Sequence, residues 1–466
     1  LMRGLGSHNV DHRLRQIDFS DQNAEPRYPG LESISALESA DAVLLLGSFP
    51  RHEQPLINLR LRNAALSGAA IMQIDTCGRA FNFDLYLREI VKPSRLAGVT
   101  AGVAAAAAKY GKTEIDAPLD KLVDELAVDG DSISAMAEKL SNAERAVVLV
   151  GATIHAHSER GALCQIASAL AKVAGASVGY LVEGANAAGA WLAGAVPHRG
   201  PGGRSLHAQG YSVRAMIENP RRAYLLLGVE PDLDCADAGG ALAALETAEF
   251  VVAISAYEND AIAKTADAIL PMAIYGENEG SFVNAMGEWQ RFAAAVKTRA
   301  DTRPAWKILR VLGNELDLAG FDAVTCEQVT REIESLVGDT RPSIQRVASL
   351  DAKTGTIDGR RLELIVEIPL YSSDPLLRHA PALQEMPQSG DDRVRISAAT
   401  AALFDLTDGS RAKISVNGAE LFAEIGIDED VPEGACLIHG ARSATARVAI
   451  NGAAVELASA VEAVVE

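Results

Sequence analysis

Unbroken apolar runs recur along the first 270 residues of the chain, each closed by a glycine, a proline or a polar turn. They fall at 41–50, 69–75, 145–151, 177–184, 222–228, 250–257 and 268–271. A strand with one wet face alternates apolar and polar positions. Continuous apolar runs indicate strands covered on both faces, as in parallel sheets. Helical spacing separates them: 53–67, 118–143, 162–174, 236–247, 258–267 and 306–315. Asp131 and Ser132 are candidate N-caps of the second of these. The last is capped near Asp301-Thr302, with Pro304 in its first turn. Strand and helix in series predict an α/β fold of mainly parallel, Rossmann-like sheets with right-handed crossovers.

The pattern changes after residue 340. Residues 341–360 and 372–393 are rich in Pro, Ser, Gly and charge and read as linkers. Short strands are expected at 361–371, 411–418, 420–427, 434–440 and 445–450, with turns at Asp408-Gly409 and Asn417-Gly418. Asn-Gly between apolar runs signals a tight hairpin. These strands predict a small β-rich, barrel-like domain. The expected division is 30–175 as one α/β domain, 1–29 with 176–340 as a second, and 341–466 as linker and β domain.

One stretch, 265–290, TADAILPMAIYGENEGSFVNAMGEWQ, carries the strongest hint of a site. A helix end leads into a short strand at 268–271, stopped by Pro271, which has no N–H for a ladder. A long polar loop is expected next, bearing Glu277, Asn278, Glu279 and Asn284, at the carboxyl edge of a sheet where α/β proteins bind ligands. The Gly/Ala-rich run 184–203 is also expected to be an ordered loop, near a site or an interface.

Composition narrows the function. With 48% hydrophobic and 23% charged residues the chain is of the folded, globular type. A net charge of −19 with no basic run argues against nucleic acid and anionic membrane as partners. Ala101–Ala108 falls short of the roughly 18–20 apolar residues of a membrane span and reads as a packed helix. The start at Leu1, without Met or a signal-like pattern, suggests a cut from something longer. Cys77, Cys164, Cys235, Cys326 and Cys436 lie far apart, with no spacing for zinc or iron–sulfur ligation, and are expected to be inert thiols in a reducing compartment.

The remaining candidates each have a plain structural reading beside the chemical one. Gly47 and Gly228 follow strands and could admit a nucleotide, but neither stands in a G-x-G-x-x-G context. His155 and His157 form an H-x-H pair without further ligands in view. His8, His12, Arg13 and Arg15 make a basic cluster that faces a partner or forms a solvated loop. No Ser-His-Asp or Cys-His arrangement and no G-x-S-x-G is readable.

Three separated segments carry a resemblance. They are the paired LLLGSFP (44–50) and LLLGVEP (225–231), the set FVVAIS, TADAILP and ENEGSFVNAMGEWQ across 250–290, and ISAATAALFDLTDGSRAKISVNG at 396–418. Together they resemble the molybdopterin oxidoreductase family, and within it the large iron–sulfur subunit of respiratory NADH:quinone oxidoreductase, complex I. In active family members, the segment resembling Asn9-Val-Asp-His12 runs on to a cysteine, selenocysteine or serine that ligates molybdenum. The matching position here falls at about Ile17, beside Asp18, and Ser20 is about three residues out of register. Ile has no lone pair for a metal. The resemblance therefore implies a non-catalytic scaffold, with no catalytic, cofactor-binding or metal-ligating residue of its own. The intact subunit is implied to carry [2Fe–2S] and [4Fe–4S] clusters in a preceding ferredoxin-like part. The implied partners are other subunits of the peripheral arm, on the cytoplasmic or matrix side of a respiratory membrane. The rival reading is an active molybdopterin-dependent oxidoreductase of the formate dehydrogenase kind.

Overall fold

The computed structural model describes residues 1–22, 30–110, 113–181, 183–299, 301–338 and 361–459. The first sheet joins β1 (Ala42–Leu46), β2 (Ala70–Asp75), β3 (Leu87–Ile90), β4 (Ala146–Val150) and β5 (Ser177–Tyr180) in the order β3-β2-β1-β4-β5. Every pairing is parallel. Why the sequence shows no alternation is visible in β1. Ala42, Leu44 and Leu46 enter one core, with the helices Leu96–Lys109, Asp131–Asn142 and Arg160–Ala174. Val43 and Leu45 enter another, with Ile57 and Leu61 of the helix Pro55–Leu66. Both faces are dry, so both registers of the strand are apolar.

The second sheet is smaller: β6 (Ala223–Leu227), β7 (Phe250–Ser255) and β8 (Ala268–Pro271), parallel in that order. Two of its helices, Ala238–Glu246 and Asp260–Thr265, start on side-chain caps. Asp237 accepts from Gly240 N, and Asn259 from Ile262 N. This sheet is less well covered than the first. Leu227 is 46% exposed and Phe250 50%, although both lie in apolar runs.

A closed six-stranded barrel follows, of β11 (Leu362–Glu367), β12 (Val394–Ile396), β13 (Arg411–Val416), β14 (Ala419–Ile427), β15 (Ala435–His439) and β16 (Ala454–Ser459). Asn417 (φ 49°) and Gly418 (φ 85°) form the left-handed two-residue turn between β13 and β14. No helix among the described residues is long and apolar enough to cross a membrane.

Several expectations change. The strand expected at 445–450 is a run of turns; closure falls to β16, which pairs antiparallel with both β11 and β13. Val448 keeps its apolar role by packing into the barrel core from a turn. The polar loop after Pro271 contains a hairpin, β9 (Gly280–Val283) with β10 (Trp289–Phe292), whose aromatic residues cluster: Phe282 and Phe292 lie 5.1 Å apart, edge to face. The run 184–203 holds a helix, Ala187–Leu192, anchored by buried Trp191. Asp131 and Ser132 stand inside their helix, not at its cap, which is Gly130. Residues 301–302 provide no cap either: the helix Ala305–Glu315 begins after Pro304 without a side-chain bond. The first sheet runs past residue 175, since β5 pairs with β4. The 372–393 stretch is tied down by short helices and ion pairs described below; 341–360 lies outside the described residues.

Candidate functional site

Each parallel sheet offers a carboxyl edge, and each edge begins with a glycine of the LLLG repeat. The N–H of Gly47 (φ 56°) bonds to Ile74 O at the end of β2; that of Gly228 (φ 63°) bonds to Ile254 O at the end of β7. Both are the same device: a left-handed residue turns the chain off one strand and stitches it to the next.

The edges then differ. In the first sheet, strand order reverses between β1 and β4, the usual ligand crevice of a doubly wound sheet. Here Gly151 N donates to Leu46 O and Thr153 N to Gly47 O. A Cβ on Gly151 would overlap Ser48 and the Gly47 carbonyl, and one on Gly47 would lie 2.8 Å from Ile154 Cγ1. The crevice is filled by its own loops. The second edge is open. A Cβ on Gly228 would meet only the Met272 methyl, and a cleft of about 400 Å³ runs from Gly228, Ser255 and Met272 to Tyr275, Trp306 and Asp374.

Between the two sheets and the barrel lies a recess of about 50 Å³, lined by Arg15, Ile17, Ala156, Cys235, Val366, Gly440 and Asn451 among others. Ile17 reaches the place where the three parts meet. Ser20 does not line it; its hydroxyl lies beside Gly161 at the start of a helix.

Charged side chains pin the parts around this recess. Arg15 pairs with Glu183 at 2.6 Å and donates to Ser373 O at 3.1 Å. Arg378 Nε donates to Glu230 at 2.7 Å and its Nη2 to Asp234 at 2.8 Å. His379 Nε2 lies 2.7 Å from the other Glu230 oxygen while its ring stacks on Tyr257 at 4.3 Å. On the barrel side, Arg79 meets Glu367 at 2.6 Å, and Glu363 accepts from both Ser94 N and Ser94 Oγ at 2.7 Å. Arg79 holds Glu367 below the usual carboxylate range although burial pulls the other way. Desolvation, with Asp75 close by, pushes Glu53 up to about 7. By accessible surface, however, more than a third of Glu53 is open to water, which screens much of that shift.

The sequence candidates at 276–290 hold structure. Glu277 is buried and accepts from Ile274 N; Asn278 donates to Ala273 O and Ile274 O; Asn284 braces its turn through Glu288. Glu279 and Asn278 line the open cleft, and of the two only Glu279 brings a charge to it. His155 is pushed down to about 3 by burial and by Arg160, and His157 is buried with Nε2 3.0 Å from Pro93 O. Among the described residues no group of three or more His, Cys, Asp or Glu is placed to hold a metal. The basic cluster is neither a solvated loop nor a free surface. Arg13 is buried on Asp11 and Gln22, and His12 Nδ1 lies 2.9 Å from Ala195 O. Its cations were needed inside the chain, which charge counting cannot reveal. Cys77, Cys164 and Cys436 are buried, whereas Cys235 and Cys326 are half-buried. Sequence reasoning missed Glu230, Arg378 and His379, because their meeting spans about 150 residues; the Glu-Pro after Gly228 was the only local sign.

Two α/β sheets sharing the LLLG turn, an N-terminal segment threaded between them and a closing barrel define the class: the chain belongs to the molybdopterin oxidoreductase family, whose pattern matches residues 1–315. Among curated proteins it is similar to a subunit of the NADH-quinone oxidoreductase of Mycobacterium bovis, 26% identical over 89% of this chain and 50% of that protein. It is likewise 26% identical to the F420-dependent formate dehydrogenase subunit alpha of Methanocaldococcus jannaschii, over 72% of this chain and 57% of that protein. The chain thus spans about half the length of the curated relatives it matches. Among solved structures, acetylene hydratase from Pelobacter acetylenicus shares the fold, with a TM-score of 0.70 at 12% identity over 94% of this chain and 80% of that one.

Proposed function

We propose that this chain is the non-catalytic body of the iron–sulfur subunit of an NADH:quinone oxidoreductase, holding a cluster-bearing part and neighbouring subunits in place without carrying a molybdopterin itself. The observation that carries the reading is the recess at Ile17. A metal held there would meet a branched hydrocarbon side chain without lone pairs. The space is about 50 Å³, against roughly 300–1,000 Å³ for a site that buries a cofactor-sized ligand. The filled crevice between β1 and β4 points the same way. The residues present do not fit the family's cofactor, and no reaction step is assigned to it.

A scaffold needs rigidity, and the paired charges that join the lobes supply it. Electron transfer between clusters depends on fixed distances, which such a body maintains without meeting the electron. The similarity to the mycobacterial NADH-quinone oxidoreductase protein supports the assembly; the similarity to a formate dehydrogenase keeps the active-enzyme reading as the rival. Elemental analysis of the complex that contains this chain separates them. The scaffold reading expects iron without molybdenum, and Ile17→Cys expects no gain of molybdenum. Stoichiometric molybdenum with a pterin fluorophore in the unaltered protein refutes it.

A further inference from the structure

From the open cleft at the second carboxyl edge, we propose a docking site for a partner polypeptide that inserts an arginine side chain. The contact would lie within the assembly proposed above and rests on that reading. The cleft is about 400 Å³, large enough for one long side chain and its flanks. Its charged lining residues are Glu279 and Asp374, with no Lys, Arg or His among the lining. Anionic phosphates are therefore disfavoured and a cation is favoured. Tyr275, 54% exposed, supplies an aromatic ring at the cleft against which a planar guanidinium can stack.

Exposure indicates a polypeptide and not a free small cation. Leu227, Tyr275 and Leu376 rim the cleft at 46%, 54% and 43% exposed, apolar area that a small cation would leave wet. A segment that places an arginine between two apolar residues satisfies the whole surface: charge in the cleft, aliphatic flanks on the rim.

The test titrates the full chain with an acetylated, amidated Leu-Arg-Leu peptide by calorimetry, with Leu-Glu-Leu and GMP as comparisons. Expected is saturable binding of the arginine peptide that weakens as salt rises and falls about tenfold or more in Glu279→Lys. Circular dichroism of that exposed-site variant checks that the fold is kept, and Leu376→Ser, which removes rim apolar area without adding charge, should weaken binding independently. Equal binding of the glutamate peptide, preferential binding of GMP, or affinity unchanged in Glu279→Lys overturns the proposal. Metal analysis of the complex does not depend on this cleft, so the scaffold reading can stand while this one falls.

Discussion

Arg378 offers the sharpest test of how the parts are held together. Its side chain is 7% exposed and faces Glu230 at 1% and Asp234 at 12%, with Nη1 also donating to Ser372 O at 2.9 Å. The fork thus serves two carboxylates and a carbonyl at once. Replacing it in Arg378→Met keeps the aliphatic stem but leaves Glu230 buried without its strongest partner; His379 is the remaining contact. Removing one member of a buried ion pair costs about 3–5 kcal/mol, because the other charge stays desolvated. Neutralising that charge as well, in Arg378→Met/Glu230→Gln, should recover more than half of the loss. The measurement is urea unfolding of the full chain followed by circular dichroism and by tryptophan fluorescence, with the slope compared between variants. Proteolysis should also become faster within 372–393, the stretch that Arg378 anchors. A loss below about 1 kcal/mol in the single variant would place the network among solvent-screened surface pairs and refute the reasoning.

Three further expectations follow from the same geometry. Glu159 is half-buried with no hydrogen-bond partner for either oxygen, and desolvation, then Asp18 and Glu363, push it up to about 7. An acid whose folded value is raised binds its proton more tightly when folded, so stability falls as pH rises from about 4.5 to 7; Glu159→Gln should flatten that slope by about 1–3 kcal/mol in urea titrations at pH 5 and 8. Gly151→Ala puts a methyl into Ser48 and the Gly47 carbonyl, backbone that cannot yield cheaply, and should cost about 2–3 kcal/mol in thermal or urea unfolding. Arg3→Met removes three bonds from one Nη2 to the carbonyls of Gly194, Val196 and Arg199, and should loosen the first residues to hydrogen exchange while leaving the barrel's exchange unchanged.

Much of the fold is legible in local pattern. Every strand of the two parallel sheets except β3 lies within an expected apolar run, and Asn417-Gly418 marks its hairpin. The last barrel strand is different. Residues 445–450 and 454–459 are both short and apolar-rich, and local propensity cannot choose between them; only closure against β11 and β13 selects the second. The hairpin β9–β10 hides for a related reason: its polar and glycine residues read as a loop, whereas its pairing depends on aromatic contacts with Tyr275 and on Asn186, which bonds Val283 N.

The sequence by itself determined the family, the two-faced strands and the apolar residue at position 17, because each is written in neighbouring residues. Tertiary structure decided what position 17 means. Burial and distance are set by segments far apart in the chain. They filled the first carboxyl edge with Gly47, Gly151 and Ile154 and left the second open beside Trp306. They also turned Arg13 and Arg15, surface charges by composition, into internal ties to Asp11 and Glu183. The stretch 265–290 that looked like the site supplies one wall of an open cleft, through Met272, Tyr275 and Glu279.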